Sequence, residues 1–120
     1  MKKIFVVDDN TSNLLVADEV LSKLYDVYTL SSASFLFNLL NNIVPDLIIL
    51  DLLMPEISGF EVLKLLKDDK RYADIPVVIL TGKGDAATEA LGLQMGAVDF
   101  IRKPFSTPVL LDRLMVHLNG

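Results

Sequence analysis

The stretch from Pro45 to Gly59, PDLIILDLLMPEISG, constrains the fold more than any other. Leu47 to Leu50 is a short, continuously apolar run, which reads as a strand buried on both faces of a parallel sheet. Asp51 stands at its carboxyl end, followed by the turn residues Met54-Pro55 and Ser58-Gly59. Ligands of open α/β sheets bind just beyond the carboxyl ends of the strands. Asp51 therefore stands where chemistry is expected, although an aspartate alone can simply end a strand. The rest of the chain decides between these readings.

Four more segments read as strands. Lys3 to Val7 is β-branched and aromatic and runs into Asp8-Asp9, Asp26 to Leu30 is short, Val77 to Leu80 is fully apolar, and Asp99 to Arg102 runs into Lys103-Pro104. Helical patterns separate them. Asn10, Thr11 and Ser12 offer caps to a first helix with Leu14, Ala17, Leu21 and Leu24 on one stripe. Ser32 or Ser34 caps a second helix through Asn41, with Leu36, Leu39, Leu40 and Ile43 on its core face and Phe35 and Phe37 beside it. The third runs from about Ser58 to Lys67 on Phe60, Val62, Leu63 and Leu66, and Asp68 to Asp74 is a polar loop. Asp85 starts a fourth helix in which Ala87, Ala90 and Leu91 are expected to face inward, with Gly96 at C′. Thr107-Pro108 suits the N-cap and first position of the last helix, with Leu111, Leu114, Met115 and Leu118 expected to be buried. Five strands alternating with five helices imply a doubly wound α/β domain, residues 1–120, with a parallel sheet and right-handed crossovers.

Composition narrows the function. With 52% hydrophobic and 22% charged residues, the chain is globular. It has no cysteine, which excludes disulfides, thiolate chemistry and cysteine-ligated zinc. A net charge of −5 argues against nucleic-acid binding through a broad basic face. No apolar run approaches the ~18 residues of a membrane span, and the short N-terminal run meets two aspartates, unlike a signal peptide. A cytoplasmic location is the expectation.

In a parallel sheet Asp8, Asp9, Asp51, Thr81 and Lys103 all lie at one edge. Crowded carboxylates repel and call for a cation at neutral pH. A hard divalent ion with oxygen ligands, Mg²⁺, suits them. With Lys103 and the Thr81 hydroxyl opposite, the set suits a phosphoryl group carried on, or passing through, one of the acids.

With Asp8-Asp9, Asp51 in LDLLMPEISG, Thr81-Gly82 and Lys103-Pro104-Phe105 in this order, the whole chain resembles the receiver domain of two-component response regulators. The resemblance implies a flavodoxin-like sheet of order 2-1-3-4-5. It implies that Asp51 accepts a phosphoryl group from a sensor histidine kinase or phosphotransfer protein. Asp9 would bind Mg²⁺ directly, Asp8 mainly through water, and the backbone carbonyl of Leu53 would complete the metal site. Lys103 would pair with one phosphoryl oxygen and Thr81 with another, and the Lys103-Pro104 bond would be cis. Phe100 stands at the switch aromatic, often tyrosine, and Leu53 and Lys83 stand at positions that tune hydrolysis. Further implied partners are a second copy through the face of helix four, strand five and helix five, and a C-terminal output domain. The segment LKDDKRYADIPVVILTGKGD resembles receivers joined to cyclic-di-nucleotide enzymes or hybrid kinases.

Such a domain is a regulatory phosphoacceptor that turns over no external metabolite. Two other classes share features with the chain. A flavodoxin-like cofactor module would need a phosphate-binding loop after strand one, where this chain has two aspartates. An Mg²⁺-dependent aspartyl-phosphate hydrolase usually carries its nucleophile after strand one and needs a cap, for which no segment is long enough. A receiver that signals without phosphate would lack some of the five key side chains, all of which are present. His117 reads as a surface residue, Met54 as packing, Phe37 as a half-buried flank, and Glu56, Asp68, Asp69 and Asp74 as solvated turn residues.

Overall fold

The computed structural model describes residues 1–82 and 84–119; Lys83, one of the positions singled out above, lies outside them. The strands are β1 (Lys3–Val7), β2 (Asp26–Leu30), β3 (Leu47–Leu50), β4 (Val77–Thr81) and β5 (Asp99–Arg102). They alternate with α1 (Thr11–Leu21), α2 (Ala33–Leu40), α3 (Gly59–Asp68), α4 (Ala86–Gln94) and α5 (Thr107–Asn119). The strands form one parallel sheet in the order β2-β1-β3-β4-β5, the order the family resemblance implies. Val7 lies beside Leu50, Leu50 beside Ile79 and Thr81 beside Arg102. This register brings the residues after β1 and β3 and those closing β4 and β5 to one edge.

Alternate strand residues point to opposite faces, so the sheet carries two cores. Phe5, Ile48, Leu50, Ile79 and Phe100 pack with Leu36 and Leu40 of α2 and Val62, Leu63 and Leu66 of α3. Ile4, Val6, Ile49 and Val78 pack with Leu14 and Leu21 of α1 and Leu110, Leu114 and Leu118 of α5. Each fully buried aliphatic or aromatic side chain contributes roughly 1.5–3 kcal/mol. Central β3 and β4 are buried at every position because helices cover both faces.

The helices start where short polar side chains cap them. Asn10, Ser32, Ser58 and Asp85 accept bonds from the backbone N–H groups of Asn13, Phe35, Glu61 and Thr88, each worth about 1 kcal/mol. At α5 the capping oxygen is that of Ser106, which accepts from the Val109 N–H at 3.3 Å. Thr107 is therefore already helical. Gly96, with φ +112°, follows the Met95 C-cap in the left-handed conformation that favours glycine.

Several inward faces differ from expectation. α1 ends at Leu21, so Leu24 is exposed; the chain turns there and buries Tyr25 instead. On α4, Ala87, Ala90 and Leu91 are exposed and Gly92 is the buried residue. The polar residues Thr88, Glu89 and Gln94 fall on different sides of this helix, so its pattern does not define a face. Its rotation is set by close packing: a Cβ at Gly92 would lie 2.8 Å from Ile79 Cδ1 and 3.5 Å from a Phe100 ring carbon. On α5 the buried stripe is Leu110, Leu114 and Leu118; Met115 is exposed and Leu111 half-buried. The polar loop after α3 is anchored by Tyr72, buried in the core with its hydroxyl 3.4 Å from the Leu40 carbonyl. Lys67 ties the same loop down by donating to the Ala73 and Ile75 carbonyls at 3.0 and 2.9 Å. His117 is half-buried rather than on the surface, its Nε2 3.1 Å from Asp99 Oδ2. Arg113 holds the other oxygen of Asp99 at 2.9 Å, so α5 is tied to β5 by charge as well as by packing.

Candidate functional site

The acids leave neighbouring strands side by side. The Asp51 N–H donates to the Val7 carbonyl at 3.0 Å and the Asp8 N–H to the Leu30 carbonyl at 3.1 Å, so both extend the ladders by one residue. One oxygen from each of Asp8, Asp9 and Asp51 lies within 4.8 Å of the others. Asp8 is buried and engaged: Oδ1 accepts from the Asn10 N–H at 2.9 Å, and Oδ2 accepts from Asn13 Nδ2 at 3.0 Å and Lys103 Nζ at 3.3 Å. Asp9 is exposed. Asn10 and Asn13 thus support Asp8, a role not anticipated from the sequence. Their placement just after the acidic pair, at a helix cap, was the available signal.

Asp51 is only 8% exposed. Its Oδ1 is buried and has no hydrogen-bond partner among the described residues. Burial, first, and the neighbouring Asp8 charge, second, raise its pKa above the ordinary carboxylate value. Lys103, the Thr81 side chain and the Leu53 backbone pull in the opposite direction. Behind the acids, α1 and α5 leave an apolar cavity of about 290 Å³ walled by Val6, Val20, Ile49 and Leu110, with Asp51 and Lys103 at its polar end. Those walls are the low-dielectric side of the site.

Thr81 closes β4 and is fully buried. The Lys103 N–H donates to the Thr81 carbonyl at 2.9 Å, which fixes the two strand ends together. The Lys103-Pro104 peptide bond is cis, as expected. Leu53 presents an exposed side chain beside Asp51, and Met54 packs against the core. Phe100 is buried, 3% exposed, beneath Gly92 of α4. Gly59, read from the sequence as a turn residue, also lets α3 begin against the loop that carries Asp51. Its N–H donates to the Leu52 carbonyl at 3.0 Å. A Cβ there would fall 2.5 Å from the Asp51 carbonyl oxygen.

Every singled-out side chain at the strand ends is thus brought to one place. Three carboxylates against one lysine leave net negative charge in a half-buried site, and an unpaired oxygen left there costs roughly 1–3 kcal/mol. An all-oxygen donor set of this charge fits a hard divalent cation.

The chain belongs to the response regulator receiver domain family, whose model matches residues 4–115. Receiver domains are phosphorylation-dependent switches of two-component signalling, and the strand order and acidic edge found here are those of the family. The chain is 37% identical, over 98% of its length, to a probable cyclic di-GMP phosphodiesterase of Vibrio cholerae, of which the match spans 26%. It is 39% identical, over 88% of its length, to the alkaline phosphatase synthesis transcriptional regulatory protein PhoP of Bacillus subtilis, of which the match spans 43%. The chain therefore spans less than half of these relatives. The solved chemotaxis protein CheY4 of Vibrio cholerae matches with a TM-score of 0.91 and 28% identity, over 98% of this chain and 99% of that one. Among the described residues, no helix is long and apolar enough to cross a membrane.

Proposed function

We propose that residues 1–120 act as one phosphoacceptor unit in which Asp51 takes a phosphoryl group from a phosphohistidine of a sensor kinase or phosphotransfer protein in the cytoplasm. A carboxylate oxygen of Asp51 forms the new O–P bond. The P–N bond breaks and the imidazole leaves with its electron pair. The single observation that carries this reading is the buried, unpaired Oδ1 of Asp51 among Asp8, Asp9 and Lys103.

Asp9, Asp51 and the Leu53 carbonyl would hold Mg²⁺, with Asp8 acting mainly through water. Both Asp8 oxygens already accept hydrogen bonds whereas Asp9 is exposed, which supports that division. When bound, Mg²⁺ supplies charge neutralisation for the acids and the phosphoryl oxygens. Lys103 answers a phosphoryl oxygen with a charge-assisted bond, and the Thr81 hydroxyl donates to another. Because β4 carries Thr81 and β5 carries Phe100, the face of α4, β5 and α5 is the surface that reports the phosphorylated state to an output domain, a partner or a second copy. The chain regulates and does not turn over a metabolite. A flavodoxin-like role is disfavoured by Asp8 and Asp9, which would repel a cofactor phosphate, and a hydrolase role by an acid nucleophile just after β3 rather than just after β1.

Incubation with acetyl phosphate and Mg²⁺, followed by intact mass measurement, tests the assignment. One phosphoryl group is expected on the native chain and none on Asp51→Asn. Equal labelling of the variant refutes it.

A further inference from the structure

No charged residue occurs from Val27 to Pro45, the longest such stretch in the chain. It contains the whole of α2, and among the described residues α2 is the one helix without a charge. This helix is not apolar only where it meets the core. Phe35 is 58% exposed, Val44 just beyond the helix is 59% exposed, and Leu15 of α1 is 71% exposed. Between α1 and α2, over the carboxyl end of β2, lies an open groove of about 580 Å³. Its walls include Leu14, Thr29, Leu30, Phe35, Asn38 and Leu39, none of them charged. β2 pairs only with β1, so the groove sits at the sheet edge opposite the face of α4, β5 and α5.

We infer that a second copy of this chain docks on the α2 face, each copy resting its Phe35 ring against the α1–α2 groove of the other. Charge selects this occupant. Each copy carries −5, so two copies repel unless they meet where charge is lacking. In a two-fold interface each residue near the axis faces its own counterpart, and any charge there meets its like. A surface of Phe, Leu, Asn, Ser and Thr side chains meets itself without that penalty. A different partner of an acidic chain would be recognised by basic groups against its acids, and α2 offers no acid for them. The face of α4, β5 and α5 is built differently, with the ion pairs Arg102–Glu89 and Arg113–Asp99 at 2.9 Å. An α2 dimer needs no phosphoryl group and leaves that face free.

Sedimentation of the full chain from micromolar to millimolar concentration, without Mg²⁺ or phosphodonor, tests the inference apart from the phosphoacceptor assignment. A monomer–dimer equilibrium is expected. Salt should tighten it by about twofold or more by screening the residual repulsion between the acidic copies. Phe35→Glu and Asn38→Lys should each weaken dimerisation more than tenfold. Both positions are exposed, so the variants should keep the native circular dichroism spectrum. Val116→Glu on the exposed side of α5 should leave the equilibrium unchanged. A monomer at all concentrations overturns the inference and leaves α2 to some other partner. So does a dimer that survives both α2 variants, that is lost with Val116→Glu, or that loosens with salt.

Discussion

Gly59 is where a single methyl group should do the most harm. It begins α3, and its missing side chain is what lets the helix close on the loop that carries Asp51. A Cβ built there lies 2.5 Å from the Asp51 carbonyl oxygen, 2.7 Å from Leu52 Cα and 3.1 Å from the Asp51 carbonyl carbon. Ordinary van der Waals contact begins near 3.4 Å, so the two segments must part by about 0.9 Å. All three neighbours are backbone, so no side-chain rotation relieves the overlap. Overpacking of this kind costs about 1–3 kcal/mol, and the rigid partners place Gly59→Ala at the upper end. The helix-propensity gain of alanine over glycine is at most about 1 kcal/mol and is only partly realised in a first turn. The net loss is then about 2 kcal/mol, a fall in Tm of roughly 6–8 °C for a domain of this size. Gly82→Ala is the control, because a Cβ there meets nothing within 4 Å. It should change stability by less than about 1 kcal/mol. Thermal melts of the three proteins by circular dichroism decide the matter. If Gly59→Ala melts with the native chain, or no lower than Gly82→Ala, the close approach does not govern stability. Because the displaced backbone is that of Asp51, Gly59→Ala should also slow labelling by acetyl phosphate.

The raised pKa of Asp51 means that the folded chain binds its proton more tightly than the unfolded chain does. Its ionisation therefore costs stability as pH rises through the folded value, and the cost vanishes below the unfolded value. Asp51→Asn should raise Tm at neutral pH without Mg²⁺, with the gain shrinking as the solution is acidified through the carboxylate range; a gain that grows on acidification would refute the sign. Lys103→Ala removes the cation 3.3 Å from Asp8, so Mg²⁺ should bind as well or better by titration while beryllofluoride-induced shifts are lost; weaker Mg²⁺ binding would contradict this. Asn13→Ala deletes a 3.0 Å donor to buried Asp8 and should cost about 1 kcal/mol in urea unfolding. Phe100→Ala should cost about 3–5 kcal/mol, because the ring is already part of the core before any phosphoryl group arrives; a loss under 1 kcal/mol would show that the ring spends its time outside.

Strand positions were legible because a strand buried on both faces must be continuously apolar, and Leu47–Leu50 and Val77–Leu80 are bounded by proline on one side and polar residues on the other. The site was legible for a topological reason: parallel strands put all their carboxyl ends on one edge, so Asp8, Asp9, Asp51, Thr81 and Lys103 had to converge. Local pattern carries no information on partners far apart in the chain. The pairing of Lys103 with Asp8 spans 95 residues, and nothing near either residue announces it. Nor does periodicity orient α4, whose few polar residues are spread around its circumference. Gly92 faces inward, closely packed over Ile79 and Phe100, and Leu91 is turned out. The same logic buries Tyr72 in a loop of charged residues and leaves Phe35 in water, since a side chain's fate depends on the space the rest of the fold leaves beside it. Order and spacing of residues were enough to specify a parallel sheet with an acidic edge, and the family resemblance supplied its strand order. Helix rotation, ring burial and the charges that meet across the edge depend on close packing between distant segments, and that exists only once the chain has folded.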